Sequence, residues 1–213
     1  MKQAIGLGAG GHARIIVEIL RLLGEFEIVG LLDANPEGLA TRVSGIAVLG
    51  NDLLMPEIYA RGVRHAFVGV GGIGDNRSRA RLYHAAQGYG FEMIGAIDPR
   101  SIVSPSAIIG SGTIIMPAAV INAGARTGEN VIINTGAIVE HDCSIGDHVH
   151  IATGACLAGT VTVLPGAHIG VGAAIKQGVQ VGRNALVGAG AVVINDVPDD
   201  TTVVGVPARP LGS

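Results

Sequence analysis

The side chains with chemistry to offer gather at one point of the chain. Glu140, His141 and Asp142 form a run of three ionisable residues. His148 and His150 follow closely, and His168 stands eighteen residues beyond His150. An imidazole can take up a proton at neutral pH, so His141 is a candidate general base. A carboxylate beside it favours the imidazolium, and either Asp142 or Glu140 can supply that charge. A second set of informative residues lies near the N-terminus. Gly6, Gly8 and Gly11 satisfy G-x-G-x-x-G, and His12 follows directly. Glycines before a helix let backbone N–H groups approach a phosphate. Asp33 stands about where a ribose-binding acid belongs.

Two kinds of element must position these groups. From Val103 to Val193 an aliphatic residue recurs every sixth position, and Thr127 is the one exception. Two places before each lies a small or β-branched residue, such as Ala119, Ala137, Cys143 or Ala155. Neither the helix period nor the strand period gives this pattern. A six-residue repeat predicts a parallel β-helix of about five triangular coils. Each coil buries its face only against its neighbours. The aliphatic residue should point inward and the small one fill a corner. A Gly often follows the aliphatic residue, as at Gly110, Gly128, Gly146, Gly170, Gly182 and Gly188, and is expected to adopt angles a Cβ would penalise. Eighteen residues make one coil, so His150 and His168 should stack on the same edge.

The first hundred residues read differently. Lys2–Leu7 predicts a buried strand and Ala13–Leu23 a helix. Glu27–Leu32 is a second strand and Ala66–Val70 a third, with a loop and a short helix between them. Arg77–Gly88 predicts a helix and Met93–Ile97 a last strand. Alternating strands and helices imply a small parallel α/β sheet, about one half of a doubly wound Rossmann-like fold. We therefore expect an α/β domain over residues 1–98 and a β-helix over 99–213. A single half suits one nucleotide, such as that of a nucleotide sugar, better than a dinucleotide.

The composition narrows the function. The 213 residues are 48% hydrophobic but only 3% aromatic, as suits a narrow Val/Ile/Ala solenoid. The net charge of −3, with no basic run, argues against nucleic acid. No apolar stretch reaches membrane-spanning length and no signal peptide is legible, so a cytoplasmic location is expected. The two cysteines, Cys143 and Cys156, have no spacing that suggests a disulfide or a metal pair. Cys143 fills a small-residue slot and reads as a buried apolar residue.

Three features together resemble a known family: the hexapeptide repeat, the segment Gly8-Ala9-Gly10-Gly11-His12, and the run from Asn134 to Cys143 containing Glu140-His141-Asp142. The closing Val204-Gly205-Val206-Pro207-Ala208-Arg209 fits as well. The chain resembles, over both domains, the nucleotide-sugar N-acetyltransferases of the left-handed β-helix class. The handedness comes from this likeness and not from the periodicity. The resemblance implies an acetyl-CoA-dependent transfer, without a metal, to the 4-amino group of a nucleotide-linked amino-deoxy sugar, in surface polysaccharide synthesis. It implies a homotrimer with acetyl-CoA between adjacent solenoids. It matches His141 to the base and Asp142 to its acidic neighbour, which is often Glu, one methylene longer. It matches His150, Gly159, Val171 and Ala189 to the acetyl-CoA site, with the Gly159 N–H near the thioester carbonyl. It matches Gly10, Gly11, His12, Asp33 and Gly71, with Asn35 nearby, to the nucleotide-sugar site. Two rivals remain at this level. A sialic-acid-type O-acetyltransferase would use the same base on a hydroxyl. A β-helical zinc hydratase would bind metal through stacked histidines such as His150 and His168.

Overall fold

The computed structural model describes residues 1–35 and 41–211. They form two compact units: Met1–Gly71 with Ser78–Ala96, and Gly72–Arg77 with Ile97–Ser213. The sequence suggests one boundary near residue 98. In the structure the short segment 72–77, which follows the third expected strand, also groups with the solenoid.

The first unit is built on β1 (Lys2–Leu7), α1 (Gly11–Leu23), β2 (Phe26–Leu32), β3 (Arg42–Val43), β4 (Ile46–Gly50), α2 (Met55–Ala60), β5 (His65–Val68), α3 (Arg77–Gly88) and β6 (Glu92–Met93). The sheet order is β3-β4-β2-β1-β5-β6, parallel except for β3 against β4. Helix α1 buries Ala13, Ile16, Val17, Ile19 and Leu20, and its apolar stripe is why it packs. It stops at Gly24, whose left-handed φ of 69° lets its N–H reach the Leu20 carbonyl. The β3–β4 hairpin is an addition to the expected loop and short helix. Its turn residues Ser44 and Gly45 both have positive φ, as a two-residue hairpin requires. The expected strand 93–97 is two short pieces, Glu92–Met93 and Ala96–Ile97. Strand β1 sends one connection to β2 on one side and pairs with β5 on the other. The carboxyl ends of β1 and β5 therefore flank a topological switch point, the place where open α/β sheets bind ligands.

The second unit is a left-handed parallel β-helix of two-residue strands. Its first face stacks Ile102–Val103, Val120–Ile121, Ile138–Val139, Cys156–Leu157, Ala174–Ile175 and Val192–Val193. Its second face stacks Arg126–Thr127, Ser144–Ile145, Thr162–Val163 and Gln180–Val181. The third includes Ile114–Ile115, Ile132–Ile133, His150–Ile151, His168–Ile169 and Leu186–Val187. Partners differ by eighteen residues, as Ile121 pairs with Val139 and Ile151 with Ile169. The last rung shortens, so Leu186 pairs with Thr202. The inward residues and the small residues, Ala119 and Ala137 among them, are buried in one continuous core. Thr127, the exception in the pattern, is buried and accepts the Gly110 N–H at 3.1 Å. Its neighbour Thr113 donates to the Gly128 carbonyl at 3.0 Å. Buried hydroxyls are tolerated when so paired.

The glycines correct one expectation. Those that follow the aliphatic residue do not have positive φ. They are needed because a Cβ would strike the next coil: at Gly146 it would lie 2.6 Å from Pro165 N, and at Gly170 2.5 Å from the Val187 carbonyl. Positive φ falls instead on every sixth residue from Gly112 to Gly190, at the corners. Among these are Ala118, Asn130, Asp142, His148, Thr160 and Asn184. Asn and Asp accept that conformation more readily than most residues.

Candidate acetyl-transfer and nucleotide-sugar sites

His141 and Asp142 occupy the corner after the first face, just beyond the strand Ile138–Val139. The inward pull of Val139 fixes the strand, and the φ of 58° at Asp142 turns the chain outward. His141 Nδ1 lies 3.0 Å from Asp142 Oδ2. A carboxylate only accepts, so Nδ1 carries the proton and Nε2 presents a lone pair. The two side chains are 52% and 65% exposed, so water shares this bond and softens it. Of the two acids open as partner, Asp142 holds the ring, its shorter side chain sufficing. Glu140 Oε2 accepts the His141 N–H at 3.2 Å instead. One coil on, buried Gly159 lies against the imidazole. A Cβ there would be 2.5 Å from Nε2 and 2.6 Å from Cε1. The Gly159 carbonyl accepts from Thr160 Oγ1 and from the Gly178 N–H, whereas its own N–H has no acceptor among the described residues. A lone pair and an N–H donor are thus brought together on one corner, the two functions acyl transfer to an amine requires.

Val171 and Ala189 lie one coil apart on a different corner, after the third face, both exposed. The Gly190 N–H donates to the Val171 carbonyl at 2.8 Å. Neither is a whole number of eighteen-residue coils from His141, so one solenoid does not place them on His141's edge. His150 stands on the third face beside that corner and is 5% exposed. Its ring meets His168 edge-on at 4.8 Å between centroids, the stacking that the coil length implies. Its Nδ1 faces the Gly72 carbonyl at 3.1 Å, and its Nε2 faces Asn134 Nδ2 at 3.1 Å. Burial pushes the His168 imidazole below its ordinary pKa. Among the described residues no three His, Cys, Asp or Glu side chains gather in a metal-binding group. Cys143 is buried in its small slot, its Sγ donates to the Ala158 carbonyl at 3.2 Å, and burial raises its pKa. That thiol is shaped as packing and not as a nucleophile.

In the first unit the expected nucleotide-sugar residues converge on the switch point. Gly10 and Gly11 open α1, and a Cβ at either would meet nothing within 4 Å. Gly71 follows β5, and a Cβ there would lie 3.7 Å from His12 Cβ. Asp33 follows β2; its Oδ2 accepts the Ala9 N–H at 2.9 Å and its Oδ1 the Asn35 N–H at 3.1 Å. Its carboxylate thereby joins the first two crossover loops and keeps lone pairs to spare. Gly8, with φ 111°, could not carry a side chain against Gly69 and Val70. The His12 imidazole is lowered to about 3 by burial and then by the Arg79 charge, so it is neutral at pH 7. Its Nε2 is buried without a partner among the described residues. Arg79 itself is fully buried and donates to the Val70 carbonyl at 2.8 Å. Sequence reasoning missed Arg79. Nothing in a helix of alternating arginines marks which one turns inward.

Comparison with known proteins bears on both units. Residues 4–86 match the PglD N-terminal domain, and residues 124–159 match the bacterial transferase hexapeptide (six repeats). No curated protein matches the chain. Among solved structures, PerB from Caulobacter crescentus, in complex with CoA and GDP-perosamine, is 40% identical, with TM-score 0.92 over 100% of this chain and 98% of that one. The H141N mutant of perosamine N-acetyltransferase from the same organism, also with CoA and GDP-perosamine, matches at 40% identity and TM-score 0.93 over the same shares. The acetyltransferase domain of PglB from Neisseria gonorrhoeae FA1090, in complex with acetyl coenzyme A, is 37% identical, with TM-score 0.87 over 99% of each chain. Sharing sequence and fold from end to end with such enzymes, the chain belongs to the left-handed β-helix, hexapeptide-repeat N-acetyltransferases that carry a PglD-type N-terminal domain.

Proposed function

We propose that the protein transfers the acetyl group of acetyl-CoA to the 4-amino group of GDP-perosamine or a close nucleotide amino sugar. The observation that carries the reading is the His141–Asp142 pair with Gly159 beneath it, supported by end-to-end likeness to enzymes described with CoA and GDP-perosamine. The amine must be neutral to attack. Its nitrogen bonds to the thioester carbonyl carbon while His141 Nε2 takes the departing N–H proton. Asp142 steadies the imidazolium that forms. The Gly159 N–H donates to the oxyanion of the tetrahedral intermediate. The C–S bond then breaks, and the sulfur of CoA leaves as the thiolate or takes the proton back from His141. No acyl-enzyme is needed, consistent with the buried Cys143.

Acetyl-CoA would lie against Val171 and Ala189, whose exposed apolar side chains suit a pantetheine arm. Because these lie on another corner than His141, a second copy of the chain must bring the two edges together. A homotrimer fits this need. The outward column of the first face (Ile102, Val120, Ile138, Cys156, Ala174, Val192) is apolar, whereas that of the second (Arg126, Ser144, Thr162, Gln180) is polar. An apolar column is the one a neighbour would cover. The nucleotide would meet Gly10, Gly11, His12, Asp33, Asn35 and Gly71, its diphosphate facing the start of α1. Both substrates carry phosphate charges that keep them on the side of the membrane where they are made, and the cytoplasm fits.

The test is a panel of nucleotide amino and hydroxy sugars with acetyl-CoA, following released thiol. GDP-perosamine is expected to react, and the hydroxy analogues to fail. Transfer to hydroxyls alone would assign the chain to O-acetylation. Light scattering in the same buffer should report three chains.

A further inference from the structure

Segment 72–77 is held on the solenoid by two side chains that the reaction above does not use in this way. Asn76 is 2% exposed. Its Nδ2 lies 3.1 Å from the Gly166 carbonyl and 3.0 Å from the Ala167 carbonyl. Both partners only accept, so the amide orientation is settled and both N–H groups are committed. Its Oδ1 is buried without a partner among the described residues and crowds Gly72, where a Cβ would collide with it. Gly72 in turn offers its carbonyl to His150 Nδ1.

These contacts settle a tautomer. Asn134 Oδ1 accepts the Thr135 N–H at 2.8 Å, so the Asn134 Nδ2 is the group facing His150. An amide N–H₂ can only donate, so His150 Nε2 must accept. The proton then sits on Nδ1, where the Gly72 carbonyl receives it. We propose that Asn76 is a positioning residue for His150: by clamping 72–77 onto the solenoid, it keeps the Gly72 carbonyl on Nδ1 and locks the ring in the Nδ1–H form. Nε2 is then always an acceptor, and the Asn134 side chain is held at the edge of the Val171–Ala189 corner. The inference rests on the reading that this corner receives acetyl-CoA.

The experiment uses full-length enzyme labelled with ¹⁵N-histidine, the His150 signal being identified by its loss in His150→Asn. Wild type should show a protonated Nδ1 and an unprotonated Nε2 at pH 7.5. Asn76→Asp keeps the shape but turns a carboxylate toward two carbonyls, and Gly72→Ala drives a Cβ into Asn76. Each should move the His150 signal toward the other tautomer or an average of the two. Each should also raise KM for acetyl-CoA about 5–10-fold, the worth of one misdirected hydrogen bond, with kcat within about twofold. A general loss of stability would instead lower kcat and leave the tautomer of the folded fraction unchanged. A wild-type ring protonated at Nε2, or variants that keep the wild-type signal, would overturn the proposal. So would a shifted tautomer with an unchanged KM for acetyl-CoA. Failure of the transferase reading shows separately, as a wild-type enzyme that acetylates no nucleotide sugar.

Discussion

Gly159 offers the sharpest perturbation, because the structure gives both its size and its target. In Gly159→Ala the new Cβ would stand 2.5 Å from His141 Nε2 and 2.6 Å from Cε1. Carbon and nitrogen rest at about 3.5 Å, so the ring must retreat by about 1 Å. The backbone need not change, because Gly159 is outside the positive-φ set. The ring is half-exposed and has room to swing outward, so the fold should keep its stability. What is lost is the alignment of the base with its amine. A misplacement of about 1 Å can cost about 10²-fold in rate, or about 2.7 kcal/mol in barrier. Steady-state kcat with saturating substrates should fall by that factor, while the melting temperature moves by no more than about 2 °C. Gly88→Ala is the control, for its Cβ would enter open space. A Gly159→Ala enzyme turning over within about twofold of wild type would refute the reasoning.

Other expectations follow from the same geometry. Asp142→Asn should lower kcat about tenfold, less than for a buried pair because water shares the bond with His141; no change would remove Asp142 from the mechanism. His12 links stability to acid. Its folded pKa is about 3 against an ordinary 6.5, so below 6.5 the unfolded chain binds the extra proton. Stability should therefore fall as the pH drops from about 6.5 toward 3, by about 1.4 kcal/mol per unit. Unfolding free energies from urea titrations at pH 7 and pH 5 should differ by about 2 kcal/mol more in wild type than in His12→Gln, and equal differences would contradict the assignment.

Much of this architecture is legible in the chain because the solenoid repeats one physical problem. Every sixth side chain must enter a core too narrow for a ring, and Val103 to Val193 advertise that rule. The stacking of His150 on His168 follows from coil length alone. What stays hidden depends on contacts between distant residues. The glycines after the aliphatic residues look like turn formers, yet serve close approach between coils, which no local pattern encodes. The β3–β4 hairpin is announced only by Ser44-Gly45, a weak turn signal between two short runs. At the corner, sequence leaves both Glu140 and Asp142 open as partners for His141, and the 3.0 Å contact between Asp142 Oδ2 and Nδ1 decides between them. His150 reads as a ligand contact, but both of its nitrogens already face protein groups, one of them from residue 72. Arg79 and Asn76 carry no sequence mark because their roles come from burial.

The most direct measurement replaces the base itself. His141→Asn keeps the corner but removes the lone pair that faces Gly159. Its kcat should fall by about 10²–10⁴ while CoA, titrated by calorimetry, binds as to wild type. Undiminished turnover in that variant would contradict the central claim that a corner imidazole takes the amine's proton.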